Sequence, residues 1–204
     1  MNASNPPKDS YDDSAVGVSG AIRHVILDRD GVLNEEPDDG GHVADPANFC
    51  WLPGALAALA ALRTLGVRIS VVTNQSGIGR GHMTEFELAA VHDKMTLDAQ
   101  RVQGSIDAIF YCPHAPDAGC SCRKPAPALI EAAIDRSGIP RVNTLVVGDA
   151  ARDLDAARAA GVRAALLRTG KGRAHEALAA ARAIPVFEDL GALVAMIGAR
   201  ENVT

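Results

Sequence analysis

The apolar run Val25-Ile26-Leu27 ends in two aspartates one residue apart, Asp28 and Asp30, within the stretch DRDGVLN. In an extended chain, residues i and i+2 lie on the same side, so both carboxylates can face one small site. Two like charges held that close repel unless a cation or a shared proton intervenes. The pair therefore suits a Mg²⁺ site, or a nucleophile beside an acid/base. Polar residues also follow other apolar runs: Thr73-Asn74-Gln75-Ser76, Arg123-Lys124, and Asp149 with Asp153 four positions on. Hydrolysis of a phosphate monoester needs an in-line nucleophile, neutralised phosphoryl oxygens and a proton for the leaving alkoxide. Asp28 can attack phosphorus to give an aspartyl-phosphate. Asp30 can protonate the leaving oxygen and then deprotonate the hydrolytic water. Asp28 and Asp149 offer hard oxygen ligands for Mg²⁺. The Thr73 hydroxyl and the Lys124 ammonium can hold equatorial oxygens, while Asp153 braces Lys124 or the metal's water shell.

A second cluster has a different chemistry. Cys112, His114, Cys120 and Cys122 form the pattern C-x-H-x5-C-x-C. Three thiolates and one imidazole make a closed tetrahedral set, the usual donor set of structural Zn²⁺. Zinc would pin the segment 112–122, too short and polar to hold itself, just before Arg123 and Lys124. Cys50, beside Trp51, is expected to be a packed apolar residue. His24, His82, His92 and His175 have no partner pattern and are expected to be core or surface histidines.

These groups need a scaffold. Apolar runs at 23–27, 67–73, 106–111, 143–148 and 162–168, with a weaker one at 184–187, read as strands. Helical patterns cover 54–65, 84–103, 127–137, 152–160, 174–183 and 190–198, with Thr84 and Glu87 spaced as a capping box. Gly66, Gly138 and Gly161 stand where helices would stop. Continuous apolar strands separated by helices predict an α/β fold, a Rossmann-like parallel sheet covered on both faces. Ligands in such sheets bind beyond the carboxyl ends of the strands. Four of the predicted strands end in polar, chemically capable residues, so the site belongs at that edge.

The chain has 204 residues, 48% of them hydrophobic, with a formal net charge of −5. That length suits one domain, 21–204, with no segment left over for a separate cap. A mildly acidic chain has no electrostatic footprint for nucleic acid or anionic lipid, so a phosphate site must gather its positive charge locally. Residues 1–20 are polar and rich in Pro, Ser and Gly. They are expected to be a disordered leader without the features of a signal peptide. No apolar stretch is long enough to span a bilayer. A cytoplasmic monomer acting on a small molecule is expected.

In their order, DRDGVLN, TNQSG, RKP and GDAARD resemble the four motifs of the haloacid-dehalogenase-like phosphatases. The resemblance covers roughly residues 25–171. It implies Asp28 as nucleophile, Asp30 as general acid/base, Thr73 and Lys124 as phosphoryl stabilisers, and Mg²⁺ on Asp28, Asp149 and the main-chain carbonyl of Asp30. The Cys/His insert is similar to that of the histidinol-phosphate and heptose-bisphosphate phosphatases. TNQSGIGRG, YCPH, CSCRKP and RTGKG resemble the heptose branch, and Ser76 stands where the histidinol-phosphate branch tends to have Asp. The resemblance therefore implies removal of the 7-phosphate of D-glycero-D-manno-heptose 1,7-bisphosphate, a lipopolysaccharide-type precursor, with histidinol phosphate as the alternative substrate. It places Asn74, Gln75, Ser76 and Arg123 against the substrate, and the loop 38–42, with Gly41 and His42, at the sugar's border. Arg80 is expected to be a second anion contact, because a bisphosphate brings a remote phosphate that needs its own cation. A non-catalytic, zinc-stabilised binding module is the alternative of another class. The intact set Asp28, Asp30, Thr73, Lys124 and Asp149 argues against it.

Overall fold

Residues with both faces buried become the central strands, and they carry the site at their ends. The computed structural model describes residues 21–37 and 41–201. The expected leader, and residues 38–40 of the loop expected to border the sugar, lie outside the described residues. The strands are β1 (His24–Leu27), β2 (Arg68–Asn74), β3 (Ala108–Cys112), β4 (Thr144–Gly148), β5 (Arg163–Leu167) and β6 (Val186–Phe187). They form a single sheet in the order β3-β2-β1-β4-β5-β6, and every neighbouring pair is parallel. β1 and β4 are buried along their whole length, as the unbroken apolar runs required.

The helices are α1 (Ala55–Thr64), α2 (Ser76–Gly79), α3 (Glu85–Arg101), α4 (Ala128–Ser137), α5 (Ala151–Ala159), α6 (Gly172–Ala181) and α7 (Leu190–Glu201). Side chains alternate across the sheet. Val25 and Leu27 join the core under α1, α3 and α7, whereas Ile26 joins the core under α4 and α5. The many alanines allow close approach: Ala55 and Ala58 on α1, and Ala156 and Ala157 on α5, are all buried. α3 opens with the expected capping box, in which Thr84 Oγ1 accepts from Glu87 N and Glu87 returns a carboxylate oxygen to Thr84 N. α4 ends at Gly138, whose φ of 67° suits glycine. Among the described residues no helix is long and apolar enough to cross a membrane, and no separate cap domain is present.

The chain runs outward from β1 to β2 and β3, then crosses back to place β4 on the other side of β1. The strand order thus reverses between β1 and β4, the switch point where such sheets open a crevice. Leu27 is in register with Val147. Asp28, the next residue of β1, and Asp149, two residues past Val147, therefore both emerge into that crevice.

The elements match the sequence expectation closely, with three differences. α2 was not expected, because Ser76-Gly77-Ile78-Gly79 has poor helix propensity. It is held from outside, by Gly79 N donating to Pro113 O at 2.8 Å. β3 is shifted toward its carboxyl end and includes Cys112. Cys50 is exposed rather than packed. It lies in an extended stretch between buried Phe49 and half-buried Trp51, so alternation turns it outward.

Candidate active site

Asp28 leaves β1 still tied to the sheet, its amide donating to Val147 O at 2.9 Å. The chain then turns tightly, with Leu33 N and Asn34 N both donating to Arg29 O. The turn places the Asp28 carboxylate toward β4 and the Asp30 carboxylate toward β2. Asp28 is 4% exposed. Its Oδ1 accepts from Arg29 N at 2.7 Å and lies 2.9 Å from Lys124 Nζ. Burial, and next the nearby Asp153, pushes the Asp28 carboxyl up to about 6.

Lys124 is also buried, and its ammonium has three fixed acceptors. Nζ donates to Val72 O at 2.7 Å and pairs with Asp28 Oδ1 and, at 2.7 Å, with Asp153 Oδ1. Burial alone would lower its pKa, but Asp153 and Asp28 outweigh that and hold it above the usual lysine value. Its backbone is clamped as well. Lys124 N donates to Asn74 Oδ1 at 3.0 Å, and Asn74 Nδ2 donates to Lys124 O at 3.1 Å. Asn74, expected against substrate, has its amide engaged in holding Lys124.

Asp149 is fully buried at the end of β4, and burial, then the Asp28 charge, pushes it up to about 7. Oδ2 accepts from Lys171 N at 2.8 Å. Two glycines close over this oxygen. A Cβ at Gly31, whose φ is 81°, would lie 2.2 Å from Asp149 Oδ2, and one at Gly170 would clash with the same atom. Asp149 Oδ1 is buried without a hydrogen-bond partner. One oxygen each from Asp28, Asp149 and Asp153 fall within 4.8 Å of one another. Octahedral Mg²⁺ with bonds of about 2.1 Å accepts oxygens up to about 4.2 Å apart. The orphaned Asp149 oxygen beside a second hard carboxylate suits such a cation. Asp153 is engaged otherwise: besides Lys124, its Oδ2 accepts from Ala150 N at 3.1 Å.

Asp30 sits on the other side of the turn. Oδ1 accepts from Arg29 Nε at 3.1 Å, Arg29 Nη2 at 2.8 Å and Asn34 Nδ2 at 3.0 Å, and Oδ2 accepts from Gln75 Nε2 at 3.0 Å. Burial alone would raise its pKa, but the Arg29 guanidinium and these donors hold it below the usual carboxylate range. Gln75 Nε2 also donates to Thr73 Oγ1 at 2.9 Å, tying the end of β2 to the acid/base candidate. Ser76 begins α2 and is buried.

The Cys/His residues meet at one point. Sulfur–sulfur distances among Cys112, Cys120 and Cys122 are 3.2–3.6 Å, and His114 Nδ1 lies 3.5 Å from Cys112 Sγ and 3.2 Å from Cys122 Sγ. Donors around a tetrahedral zinc with Zn–S near 2.3 Å stand about 3.5–3.8 Å apart, so the set fits that ion with slight expansion.

The remaining expected contacts lie around the mouth. Arg123 is half-buried, and its Nη1 is buried without a partner among the described residues. Arg80 and Gly41 are exposed. His42 stacks on His82 with ring centroids 5.8 Å apart, and burial, then His82 and Arg80, lowers its pKa. Sequence reasoning missed Arg29, Arg152 and the Lys171 amide. Arg152 had a usable signal, standing three residues after Asp149 on the first turn of a helix. Arg29 had none, since a charged residue inside an apolar strand end reads as exposed, yet it is 1% exposed.

Residues 121–193 match a family model described as "HAD-hyrolase-like". The D-glycero-beta-D-manno-heptose-1,7-bisphosphate 7-phosphatase of Bordetella bronchiseptica is 42% identical over 152 residues, 74% of this chain and 84% of that protein. The chain belongs to the heptose-bisphosphate phosphatase family of HAD-like hydrolases. A family member of the same name from Pseudomonas putida is 37% identical over 172 residues, covering 84% of this chain and 97% of its own length. A crystal structure of the Bordetella bronchiseptica D,D-heptose 1,7-bisphosphate phosphatase, complexed with magnesium and phosphate, matches with a TM-score of 0.82 and 39% identity, covering 88% of this chain and 99% of that one. The Rossmann-like sheet expected from the alternation of apolar strands and helices is thus the fold shared with that relative.

Proposed function

We propose that the protein is a Mg²⁺-dependent phosphomonoester hydrolase that removes the 7-phosphate of D-glycero-β-D-manno-heptose 1,7-bisphosphate. One observation carries the chemistry: a buried Asp28 carboxylate stands between a fixed ammonium and an orphaned Asp149 oxygen at the sheet's switch point. The names of the relatives support the substrate and its anomer.

In this reading Asp28 is the nucleophile. Its backbone is fixed by the sheet and its Oδ1 by Lys124 and Arg29 N, so the carboxylate is held in one orientation in the crevice where the phosphoryl group would enter. A carboxyl pushed up to about 6 remains largely ionised at neutral pH and is more nucleophilic than an ordinary aspartate. The new O–P bond gives an aspartyl-phosphate as the sugar alkoxide leaves. The Thr73 hydroxyl donates to a phosphoryl oxygen, and the Lys124 ammonium, held beside Asp28 Oδ1, offsets the phosphoryl charge. Asp30, ionised in the resting site, takes up a proton once the anionic substrate is bound beside it, delivers that proton to the leaving oxygen, then regains one from the water that attacks the aspartyl-phosphate. Arg29, Asn34 and Gln75 fix where that proton is handed over. Mg²⁺ held by Asp28, Asp149 and the Asp30 carbonyl would neutralise phosphoryl oxygens and orient them for in-line attack. Zn²⁺ on Cys112, His114, Cys120 and Cys122 would fix the segment that leads into Arg123 and Lys124.

Arg123, His42 and Arg80 are proposed to read the remainder of the sugar bisphosphate, with Gly41 and Ser76 lining its path. The thiols required by the zinc set point to a reducing compartment, the cytoplasm.

The test is initial-rate phosphate release with Mg²⁺ from the β and α anomers of heptose 1,7-bisphosphate, and from fructose 1,6-bisphosphate and histidinol phosphate. The β anomer is expected to give the highest kcat/KM. Equal or faster turnover of histidinol phosphate would overturn the substrate assignment and leave the chemistry standing. Asp28→Asn should lower turnover at least ~10³-fold with the fold intact.

A further inference from the structure

The fixed donors of the site leave two carboxylate oxygens over. Asp28 Oδ1 is taken by Lys124 and Arg29 N, and Asp149 Oδ2 by Lys171 N. Asp28 Oδ2 and Asp149 Oδ1 remain, and these are the two oxygens free to meet a cation. A single atom already faces both. Arg152 Nη2 lies 3.5 Å from Asp28 Oδ2 and 3.9 Å from Asp149 Oδ1. These distances are long for charge-assisted hydrogen bonds, so the guanidinium is attracted but not locked.

The rest of Arg152 is loosely committed too. Its Nε is buried without a hydrogen-bond partner. Its side chain is 32% exposed, whereas those of Asp28 and Asp149 are 3% and 0% exposed. It therefore stands between solvent and the buried carboxylates, reaching in from the first turn of α5. It also has somewhere to go. Glu36, which pairs with Lys171 at 2.7 Å, lies within electrostatic reach of Arg152 on the solvent side.

We propose that Arg152 is an internal counter-cation that competes with the divalent metal for Asp28 Oδ2 and Asp149 Oδ1, and that the metal, on entering, releases the guanidinium to bind the substrate's phosphoryl group. Two carboxylates this close and this dry need positive charge at all times, and Lys124, with all three protons engaged, supplies only part of it. Arg152 supplies the rest while the metal is away. Once displaced it is a planar donor at the site's entrance, the geometry suited to phosphoryl oxygens. Metal and phosphate should then bind with positive coupling, each favouring the state in which Arg152 has left the carboxylates. The proposal rests on reading this pocket as a divalent cation site, and the test separates the two.

The experiment titrates Mn²⁺ alone into the metal-free full-length protein, followed by electron paramagnetic resonance of the free ion, for wild type, Arg152→Met and Arg152→Lys. It then repeats the titration with inorganic phosphate present. Removing a like charge next to the pocket should tighten Mn²⁺ binding by Arg152→Met ~5-fold or more, with Arg152→Lys close to wild type. Phosphate should tighten Mn²⁺ binding in wild type and have much less effect in Arg152→Met. Unchanged or weaker Mn²⁺ binding by Arg152→Met, in a protein with wild-type Tm, would overturn the competition. Equal coupling to phosphate in both proteins would overturn the release to phosphate. Absence of Mn²⁺ binding by wild type would overturn the cation reading of the pocket itself.

Discussion

Lys124 and Asp153 form a buried ion pair, Nζ to Oδ1 at 2.7 Å, with both side chains no more than 2% exposed. The same ammonium reaches Asp28 Oδ1 at 2.9 Å. Asp153 therefore takes no place on the phosphate side of the site. It sets where Lys124 points, and it raises the Asp28 carboxyl by proximity, second only to burial.

Replacing Asp153 by Asn removes that counter-charge and leaves the amide oxygen to accept from Ala150 N. Breaking one half of a buried pair costs about 3–5 kcal/mol, and the surviving contact with Asp28 puts this case near ~3 kcal/mol. Urea unfolding of Asp153→Asn should show this loss, with Asp28 shifted down and the acid limb of kcat/KM displaced to lower pH. A loss under ~1 kcal/mol would mean that the pair does not organise the site.

Mg²⁺ should stabilise the protein in a pH-dependent way. Asp28 and Asp149 are pushed up to about 6 and about 7, from the ordinary aspartate value of 3.8. The unfolded chain has released these protons by about pH 5, while the metal-free fold still holds them. The two groups thus cost the fold stability as pH rises from about 4 to about 7, because it must then carry them charged. Mg²⁺ competes with those protons. At one hundred times its Kd it contributes about 2.7 kcal/mol, or roughly 5–10 °C in Tm for a chain of this size. Scanning fluorimetry should show that shift at pH 7.5 and little of it at pH 5. Equal shifts at the two pH values would place the cation elsewhere.

The site was legible to the extent that it is written in strand ends. Asp28, Thr73 and Asp149 each follow an apolar run, and a parallel sheet gathers such ends at one edge whatever the details of packing. Element bounds followed from the same runs to within a few residues. What escaped was set by distant contacts. The Gln75 amide bridges Thr73 and Asp30, a relation visible only once β1 and β2 are adjacent. Arg29 is hidden because the turn after β1 folds its guanidinium back onto the next residue. Cys50 follows a general preference of cysteine for burial that one extended segment reverses.

The end of β1 opposite the site also holds a buried polar group. His24 is buried within the sheet, its Nε2 2.9 Å from Ser70 Oγ on β2 and its Nδ1 3.5 Å from Thr144 Oγ1 on β4. Burial pushes the imidazole down to about 4 from 6.5. In the unfolded chain it takes up a proton below about pH 6.5, and in the fold only near 4. This lowered pKa makes stability fall as pH drops from about 6.5 to about 4, by up to ~3 kcal/mol. His24→Gln keeps a neutral hydrogen-bonding side chain and should flatten that part of the stability–pH curve. An unchanged curve in chemical denaturation at pH 7, 6 and 5 would remove His24 as its cause.

Loss of one zinc donor should act on the fold first and on the chemistry through it. Cys112 ends β3, and its carbonyl accepts from Gln75 N at 2.8 Å, while Cys122 stands two residues before Lys124. The cluster therefore joins the Thr73–Gln75 strand end to the segment that carries the Lys124 ammonium. Cys120→Ser leaves one hard hydroxyl among two thiolates and an imidazole, a much poorer set for zinc. The variant should purify with well under one zinc per chain by elemental analysis, and lose ~3 kcal/mol or more of stability. Asn74 and Asp153 still clamp Lys124 from the sheet side. Turnover below the new Tm should therefore fall far less than in Asp28→Asn. A Cys120→Ser protein with full zinc and wild-type Tm would sink the structural-metal assignment. One with wild-type Tm but no turnover would instead assign the metal to the reaction.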